Sequence, residues 1–161
     1  MLFRSVGYSE REGRALVHLQ YVEAHRSPMS AGDGDASGYA GYFAELLDEW
    51  AQEGDPCEPL FRLGASTVDA MVAGAPVDAL ARYFEFWLLR LQGVYQPSPR
   101  ASVPARAFLD AVRSCSPYRV GDVPTTPRVL RELEASHQAQ IVSHLEKELR
   151  SAKVLREIRR G

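Results

Sequence analysis

The chain has 161 residues, an apolar fraction of 45% and a net charge of −2, which fit one globular domain with a real core. Two cysteines without a CxxC motif argue against a disulfide framework or a zinc site. No apolar run is long enough to span a membrane, and the N-terminus lacks a signal peptide's apolar segment. The expected location is therefore the cytoplasm, with no membrane partner.

Charge is distributed unevenly along the chain. Residues 33–61 carry only acidic charges, whereas residues 147–160 are mostly basic. Such asymmetry is typical of a protein whose basic end meets an anionic partner. It is equally typical of two solvated helix faces, so charge alone leaves both interpretations open.

The N-terminal part contains one predicted strand. Residues 14–25 alternate in side-chain character and include β-branched and aromatic residues that favour a strand. A lone strand leaves its backbone groups without partners. It must therefore pair with residues 2–8 as a hairpin, or belong to a sheet that this chain lacks. Residues 27–38 are rich in Gly, Ser and Asp and read as a linker.

Two helices are predicted next. Residues 39–50 have the i, i+3, i+4, i+7 spacing of an amphipathic helix, which Asp35 or Ser37 could cap. A second helix is predicted from about residue 59 to residue 73. Gly64 inside it either weakens the helix or allows close packing.

The most apolar helix is predicted at residues 76–95. Pro76 suits its first position and Gly93 suits the position after its end. Phe86 and Leu89 add a second apolar face, so the helix should be buried on two sides. Its main apolar stripe consists of Leu80, Tyr83, Phe84, Trp87, Leu88 and Leu91.

The C-terminal third is predicted to be helical as well. Residues 104–114 form a short helix, with Ala107, Phe108, Ala111 and Val112 expected to face inward. Residues 117–125 read as a loop. Thr126 and Pro127 then look like an N-cap and first turn. From there to Arg160 there is no Pro or Gly, and a phase change predicts a bend or break near Ser151.

The sequence offers no catalytic constellation. His137 and His144 lie seven residues apart, whereas helical metal pairs more often use i and i+4, and no HExxH, P-loop or GxSxG motif occurs. We therefore expect no enzyme activity and no cofactor. The basic C-terminal segment is the stronger feature.

Four basic residues of that segment step by about one helical turn: Lys147, Arg150, Lys153 and Arg156. Basic side chains at this spacing can follow a phosphate backbone without reading base sequence. Cations near a helix C-terminus also stabilise its dipole, which is the purely structural alternative.

Three blocks of the sequence resemble the C-terminal part of the bacterial recombination mediator RecO. They are YAGYFAELL at 39–47, RYFEFWLLRLQGVY at 82–95 and HLEKELRSAKVL at 144–155. The resemblance runs from about residue 13 to the end of the chain. It implies a mainly α-helical bundle at residues 29–161. It also implies that residues 1–28 are a partly disordered remnant of an OB-fold, in which the predicted strand would be the final strand.

The resemblance also implies a function. RecO-like proteins bind single- and double-stranded DNA, anneal strands, and act with RecR to load RecA onto DNA covered by single-stranded-DNA-binding protein (SSB). Their helical domain receives the acidic C-terminal tail of SSB, and the Arg-x-Phe of that pocket matches Arg82 and Phe84. The family's basic final segment makes Lys147, Arg150, Lys153 and Arg156 candidates for DNA contact.

Two departures from the family bear on this expectation. Most of an OB-fold is missing, and residues 96–104 replace an insertion that often carries a CxxC…CxxC zinc site. The expected function is therefore a RecO-like mediator of DNA repair and recombination. The alternative is a helical protein-interaction module that does not bind DNA.

Overall fold

The computed structural model describes residues 2–9, 18–26, 34–51, 57–146 and 149–158. Helices dominate this part of the chain, as predicted. The elements are β1 (Leu2–Ser9), β2 (His18–Arg26), α1 (Gly34–Trp50), α2 (Glu58–Val72), α3 (Val77–Leu91), α4 (Val103–Val112), a 3₁₀ helix (Pro117–Asp122), α5 (Pro127–Leu145) and α6 (Arg150–Ile158). No helix in these described ranges is long and apolar enough to cross a membrane.

The two strands form an antiparallel hairpin. Val6 pairs with Val22 and Ser9 pairs with His18, with irregularities elsewhere in the register. The predicted strand is therefore present, and residues 2–9 supply the hydrogen-bonding partner that it needed. Two statements stay predictions: that the hairpin is the end of an OB-fold, and that a domain boundary falls between residues 28 and 29.

Helix α3 is the centre of the helical domain. It contacts α1, α2, α4, α5 and the 3₁₀ helix. Leu80, Phe84 and Leu88 of its main stripe are fully buried, and so are Phe86 and Leu89 of its second face. The predicted burial on two sides is confirmed, because helices pack around α3 on more than one side.

One residue of the predicted α3 stripe does not belong to the core. Leu91 is 43% exposed because it is the last residue of the helix, where the chain turns away through Gln92. Gly93 follows with a φ of +70°, and its N–H donates to the carbonyl of Arg90. Together with the bond from Val94 N–H to the Leu89 carbonyl, this forms a Schellman motif at the predicted position.

Helix starts were predicted with mixed success. Thr126 caps α5 as predicted, since its Oγ1 accepts a hydrogen bond from Val129 N–H. Pro76 occupies the N-cap position of α3 rather than its first turn. The predicted cap of the first helix at Asp35 or Ser37 is wrong, because α1 begins at Gly34 and both residues lie inside it.

Packing in α4 also differs from the prediction. Ala107 and Ala111 are exposed, and the buried residues are Ala105, Phe108, Leu109 and Val112. This register places the larger Leu109 inside, which buries more apolar area than an alanine would. The segment predicted as a loop at 117–125 contains the 3₁₀ helix, in which Val120 is buried.

The long C-terminal helix is broken, but earlier than predicted. Helix α5 ends at Leu145, and Glu146 takes a left-handed backbone conformation with a φ of +55°. Helix α6 starts at Arg150, so Ser151 lies in its first turn. In α2, Gly64 packs directly against Leu47 of α1, which confirms the close-packing alternative.

Two glycine substitutions should have opposite effects on stability. Gly93→Ala should lower the free energy of unfolding by about 1 kcal/mol, because alanine is strained at positive φ. Gly41 lies inside α1, and a Cβ added there meets no atom within 4 Å. Gly41→Ala should therefore raise the free energy of unfolding by about 0.5–1 kcal/mol. Urea unfolding of both variants checks this pair, and the same sign for both would contradict the assigned helix end.

Candidate binding site

A buried ion pair lies on α3. Arg82 and Glu85 are three residues apart, which places them on the same face of the helix. Arg82 Nη2 is 2.9 Å from Glu85 Oε1, and the two side chains are only 3% and 0% exposed. Charged groups are almost never buried unless they are paired, so the two residues depend on each other.

Glu85 also connects α3 to two other helices. The hydroxyl of Tyr42 on α1 donates to Glu85 Oε1 at 2.7 Å, and His137 Nδ1 on α5 lies 3.1 Å from Oε2. Gln138 on α5 in turn donates to the Tyr42 hydroxyl. We call Tyr42, Arg82, Glu85 and His137 the buried cluster, and it fixes α1, α3 and α5 relative to one another.

The cluster keeps Glu85 ionised. Burial acts to raise the pKa of Glu85, but the charge of Arg82 and the hydrogen bonds from His137 and Tyr42 outweigh it. The pKa of Glu85 is therefore below its ordinary value of 4.5. Burial, together with the charge of Glu85, raises the pKa of Tyr42 well above its ordinary value. Tyr42 consequently keeps its proton and serves as a hydrogen-bond donor.

A cavity of about 420 Å³ opens beside this cluster. Its polar lining is Tyr42, Arg82, Arg131, Glu134 and Gln138. Its apolar lining is Ala135, Ala139 and Val142 from α5 with Leu149, Ala152 and Leu155 from the α6 region. The lining carries two guanidinium groups, the carboxylate of Glu134 and a largely apolar wall, so the exposed Arg131 is the group that could meet a ligand that is both acidic and apolar.

Two donors of Arg82 lack a hydrogen-bond partner. Its Nη1 lies 3.5 Å from Glu134 Oε2, which is an ion pair without hydrogen-bond geometry. Within the described part of the chain, neither Nη1 nor Nε of Arg82 donates a hydrogen bond. Both nitrogens are buried, so Arg82 acts mainly as the partner of Glu85, and Arg131 is the exposed cation of the cavity.

Helix α6 forms one wall of the cavity and is held in place by Glu45. The Glu45 carboxylate accepts hydrogen bonds from Arg150 N–H at 2.9 Å and from Ser151 N–H at 2.8 Å. The Ser151 hydroxyl donates to the same carboxylate. Glu45 on α1 thus caps α6 from a different helix, as a carboxylate does at a helix N-terminus.

The two faces of α6 differ in character. Leu149, just before the helix, and Leu155 are buried, whereas Arg150 and Lys153 are exposed. Lys147 and the side chain of Arg156 lie outside the described residues. Two of the four predicted DNA-contacting side chains are therefore seen together on the solvent side of α6, and their binding role stays a prediction.

The predicted peptide-pocket pair is separated by the structure. Arg82 lines the cavity, but Phe84 is fully buried and packs against Phe43 with ring centroids 4.6 Å apart. Phe84 is thus a core residue and does not form the lip of a pocket. The apolar wall predicted for Phe84 is supplied by Val142, Leu149 and Leu155 instead.

The sequence-based interpretation missed Glu85, although a signal for it existed. Glu85 is the only acidic residue in the apolar run 79–91, which predicts a buried carboxylate that needs a cation. His137 is 1% exposed beside it, whereas the exposed His144 stacks on Trp50 with centroids 5.6 Å apart. Within the described residues, no group of three His, Cys, Asp or Glu side chains could hold a metal ion.

The fold and cavity define a helical domain built around a central helix, with a ligand-sized cavity beside a buried ion pair. The family model described as "Recombination protein O C terminal" matches residues 31–103, which span α1, α2 and α3. Residues 31–103 are thus similar to the C-terminal region of RecO.

Curated relatives give the same result, and each carries the name "DNA repair protein RecO". The protein from Koribacter versatilis is 34% identical over 55% of this chain and 36% of its own length. The protein from Anaeromyxobacter sp. (strain K) is 37% identical over 60% of this chain and 37% of its own length. The protein from Geobacter metallireducens is 27% identical over 76% of this chain and 63% of its own length. The chain thus spans less than two thirds of each of these relatives. No solved structure matches the chain significantly.

Replacing Glu85 should reveal how far the domain depends on the cluster. Glu85→Gln should lower the free energy of unfolding at neutral pH by about 3 kcal/mol, because Arg82 loses its buried counter-charge. Because the pKa of Glu85 is lower in the folded protein than its ordinary 4.5, its stabilisation is present at neutral pH. That stabilisation is lost as the pH falls below about 4.5 and through the folded-state value. The difference between variant and wild type should shrink over the same range.

Glu58→Gln is the matched control. Glu58 forms an exposed ion pair with Arg62 at 3.8 Å, so its loss should leave the denaturation midpoint unchanged. Urea unfolding measured from pH 7 down to pH 3 compares the three proteins. An equal effect of Glu58→Gln and Glu85→Gln, or no pH dependence of their difference, would contradict the role of the buried cluster.

Proposed function

We propose that this chain acts in DNA repair and homologous recombination as a RecO-like mediator, through non-covalent binding rather than catalysis. The observation that carries the proposal is the match of residues 31–103 to the RecO C-terminal family, supported by relatives named DNA repair protein RecO. Its partners would be DNA, SSB and RecR, with RecA loading as the outcome. The β1–β2 hairpin would be the last part of an OB-fold.

The cavity beside the buried cluster is the proposed site for the C-terminal tail of SSB. An acidic tail needs cationic donors, and Arg82 and Arg131 both line the cavity. An apolar side chain of the tail would pack on the wall that Val142, Leu149 and Leu155 provide. This support comes from charge and shape: the exposed guanidinium of Arg131 and the apolar wall lie in one cavity.

Arg131 is the best residue with which to test this site. Arg82 is buried against Glu85, so reversing its charge would bury two carboxylates together and unfold the protein. Arg131 is exposed, and Arg131→Glu should weaken binding of an acidic SSB tail peptide at least about tenfold, the worth of one hydrogen bond to a charged group. Isothermal titration calorimetry measures the affinity. The control is Arg62→Glu, an equal charge change on α2 away from the cavity, and equal losses in both variants would count against the site.

DNA contact is proposed for Lys147, Arg150, Lys153 and Arg156 of the basic C-terminal segment. Arg150 and Lys153 lie on the solvent side of α6 in the part that the structure describes. A double variant with Arg150→Glu and Lys153→Glu should show a weaker dependence of duplex affinity on salt concentration. The slope of log K against log salt should change by about 0.9 for each lost phosphate contact.

Fluorescence anisotropy with a labelled duplex at several salt concentrations measures this slope. The Arg62→Glu variant again controls for net charge, and circular dichroism checks that α6 remains helical. Failure of the wild-type chain to bind DNA even at low salt would contradict the DNA half of the proposal. Peptide binding without DNA binding would favour a helical protein-interaction module.

A further inference from the structure

A second basic surface lies far from the C-terminal segment in sequence. Residues 90–131 contain seven arginines and two acidic residues, although the whole chain has a net charge of −2. All seven arginine side chains are exposed. Exposed charge of one sign, concentrated in one part of a mildly acidic protein, is typical of a surface for an oppositely charged partner.

One of these arginines, Arg100, lines a groove, and four others lie near its ends. The groove has a volume of about 450 Å³ and lies between the loop 96–101 and α5, with Tyr95, Arg100, Glu132 and Gln140 in its lining. Its loop is fixed to α5 at both ends. Gln140 accepts a hydrogen bond from Gln96 N–H at 2.7 Å, and Glu132 accepts one from Ser102 N–H at 2.7 Å. The groove is therefore formed before any ligand arrives.

Arg90 and Arg113 lie at the Tyr95 end of the groove. The Arg90 guanidinium sits over the ring of Trp87 at 5.7 Å, and the Trp87 indole donates to the carbonyl of Val112, the residue before Arg113. Arg90 also lies 5.5 Å over the ring of Phe86, which meets the ring of Tyr95 edge-on with centroids 5.0 Å apart. Two cations and aromatic rings thus share this end.

Arg106 and Arg128 lie at the other end, where Arg128 lines a neighbouring pocket together with Ser102 and Glu132. Arg106 Nη1 also donates to the carbonyl of Ala101, which ties it to the groove's loop. Arg106 and Arg113 are seven residues apart, so they share one face of α4 about 10 Å apart along the helix axis.

We propose that this surface, the arginine groove, binds the phosphate backbone of single-stranded DNA. It consists of Arg90, Arg100, Arg106, Arg113 and Arg128 around Tyr95. This inference rests on the proposed DNA-binding function and adds a contact surface separate from α6. Two carboxylates lie nearby, Asp110, which pairs with Arg113 at 3.6 Å, and Glu132, so the five arginines still outnumber the acids.

The combination of groups favours a single strand over a duplex. Proteins that bind single strands combine a positive groove that follows the backbone with aromatic rings on which bases stack. Tyr95 and Trp87 are partly exposed beside Arg90 and Arg113, which supplies both requirements at one end. Arginine also binds phosphate through two parallel hydrogen bonds.

The test uses the full chain and labelled oligothymidylate in fluorescence anisotropy. Arg100→Glu changes an exposed loop residue in the groove, and Arg100→Glu with Arg113→Glu changes two. Each lost contact should weaken binding about fivefold at 0.1 M salt and flatten the salt slope by about 0.7. Arg62→Glu is the matched control on α2, which does not line the groove, and should retain wild-type affinity. Thermal unfolding confirms that each variant is folded.

Several results would overturn the inference. In one such result, the groove variants bind oligothymidylate with wild-type affinity while the variant with Arg150→Glu and Lys153→Glu loses binding. That result would leave the proposed function intact. Another is an equal loss in Arg62→Glu, which would indicate net charge alone. The inference would also be overturned if the groove variants lost as much affinity for duplex as for oligothymidylate, or more. It would likewise be overturned if they lost affinity only for an acidic peptide. Absence of any DNA binding by the wild type would reject both proposals together.

Discussion

The ion pair between Arg82 and Glu85 is the interaction on which the helical domain depends. Its carboxylate also receives Tyr42 from α1 and His137 from α5, so one buried charge determines how three helices meet. Burying two charges costs desolvation free energy, and the apolar core around α3 must supply the net stability. What the pair contributes is position, because it holds Arg82 in the wall of the cavity.

Helix α6 connects the two functions that we propose for the C-terminal part. Its buried side, with Leu149 before it, closes the cavity, while Arg150 and Lys153 face solvent. Glu45 holds the N-terminus of α6 on α1, so a change at that cap would reach both surfaces. The arginine groove uses a neighbouring face of α5, which would let a bound strand and a bound peptide lie on either side of one helix.

Periodicity in the sequence predicted α3, its two buried faces and its glycine end, because these depend on local spacing and backbone geometry. It could not predict the buried cluster, since the partners of Glu85 lie 43 and 52 residues away in sequence. The break before α6 was misplaced for the same reason: no Gly or Pro marks Glu146, and the cap comes from Glu45, more than 100 residues earlier. Phe84 matched the family's pocket motif, yet periodicity alone already placed it in the core stripe.

A double-mutant cycle with Arg82→Met and Glu85→Gln tests the central claim most directly. Urea unfolding should show that each single variant is strongly destabilised, while the double variant recovers about 1–3 kcal/mol of the summed loss because no buried charge remains unpaired. The folded double variant should bind the acidic SSB tail peptide more weakly, since the cavity wall loses the Arg82 guanidinium. Additive losses of stability, or wild-type peptide affinity in the folded double variant, would contradict the account.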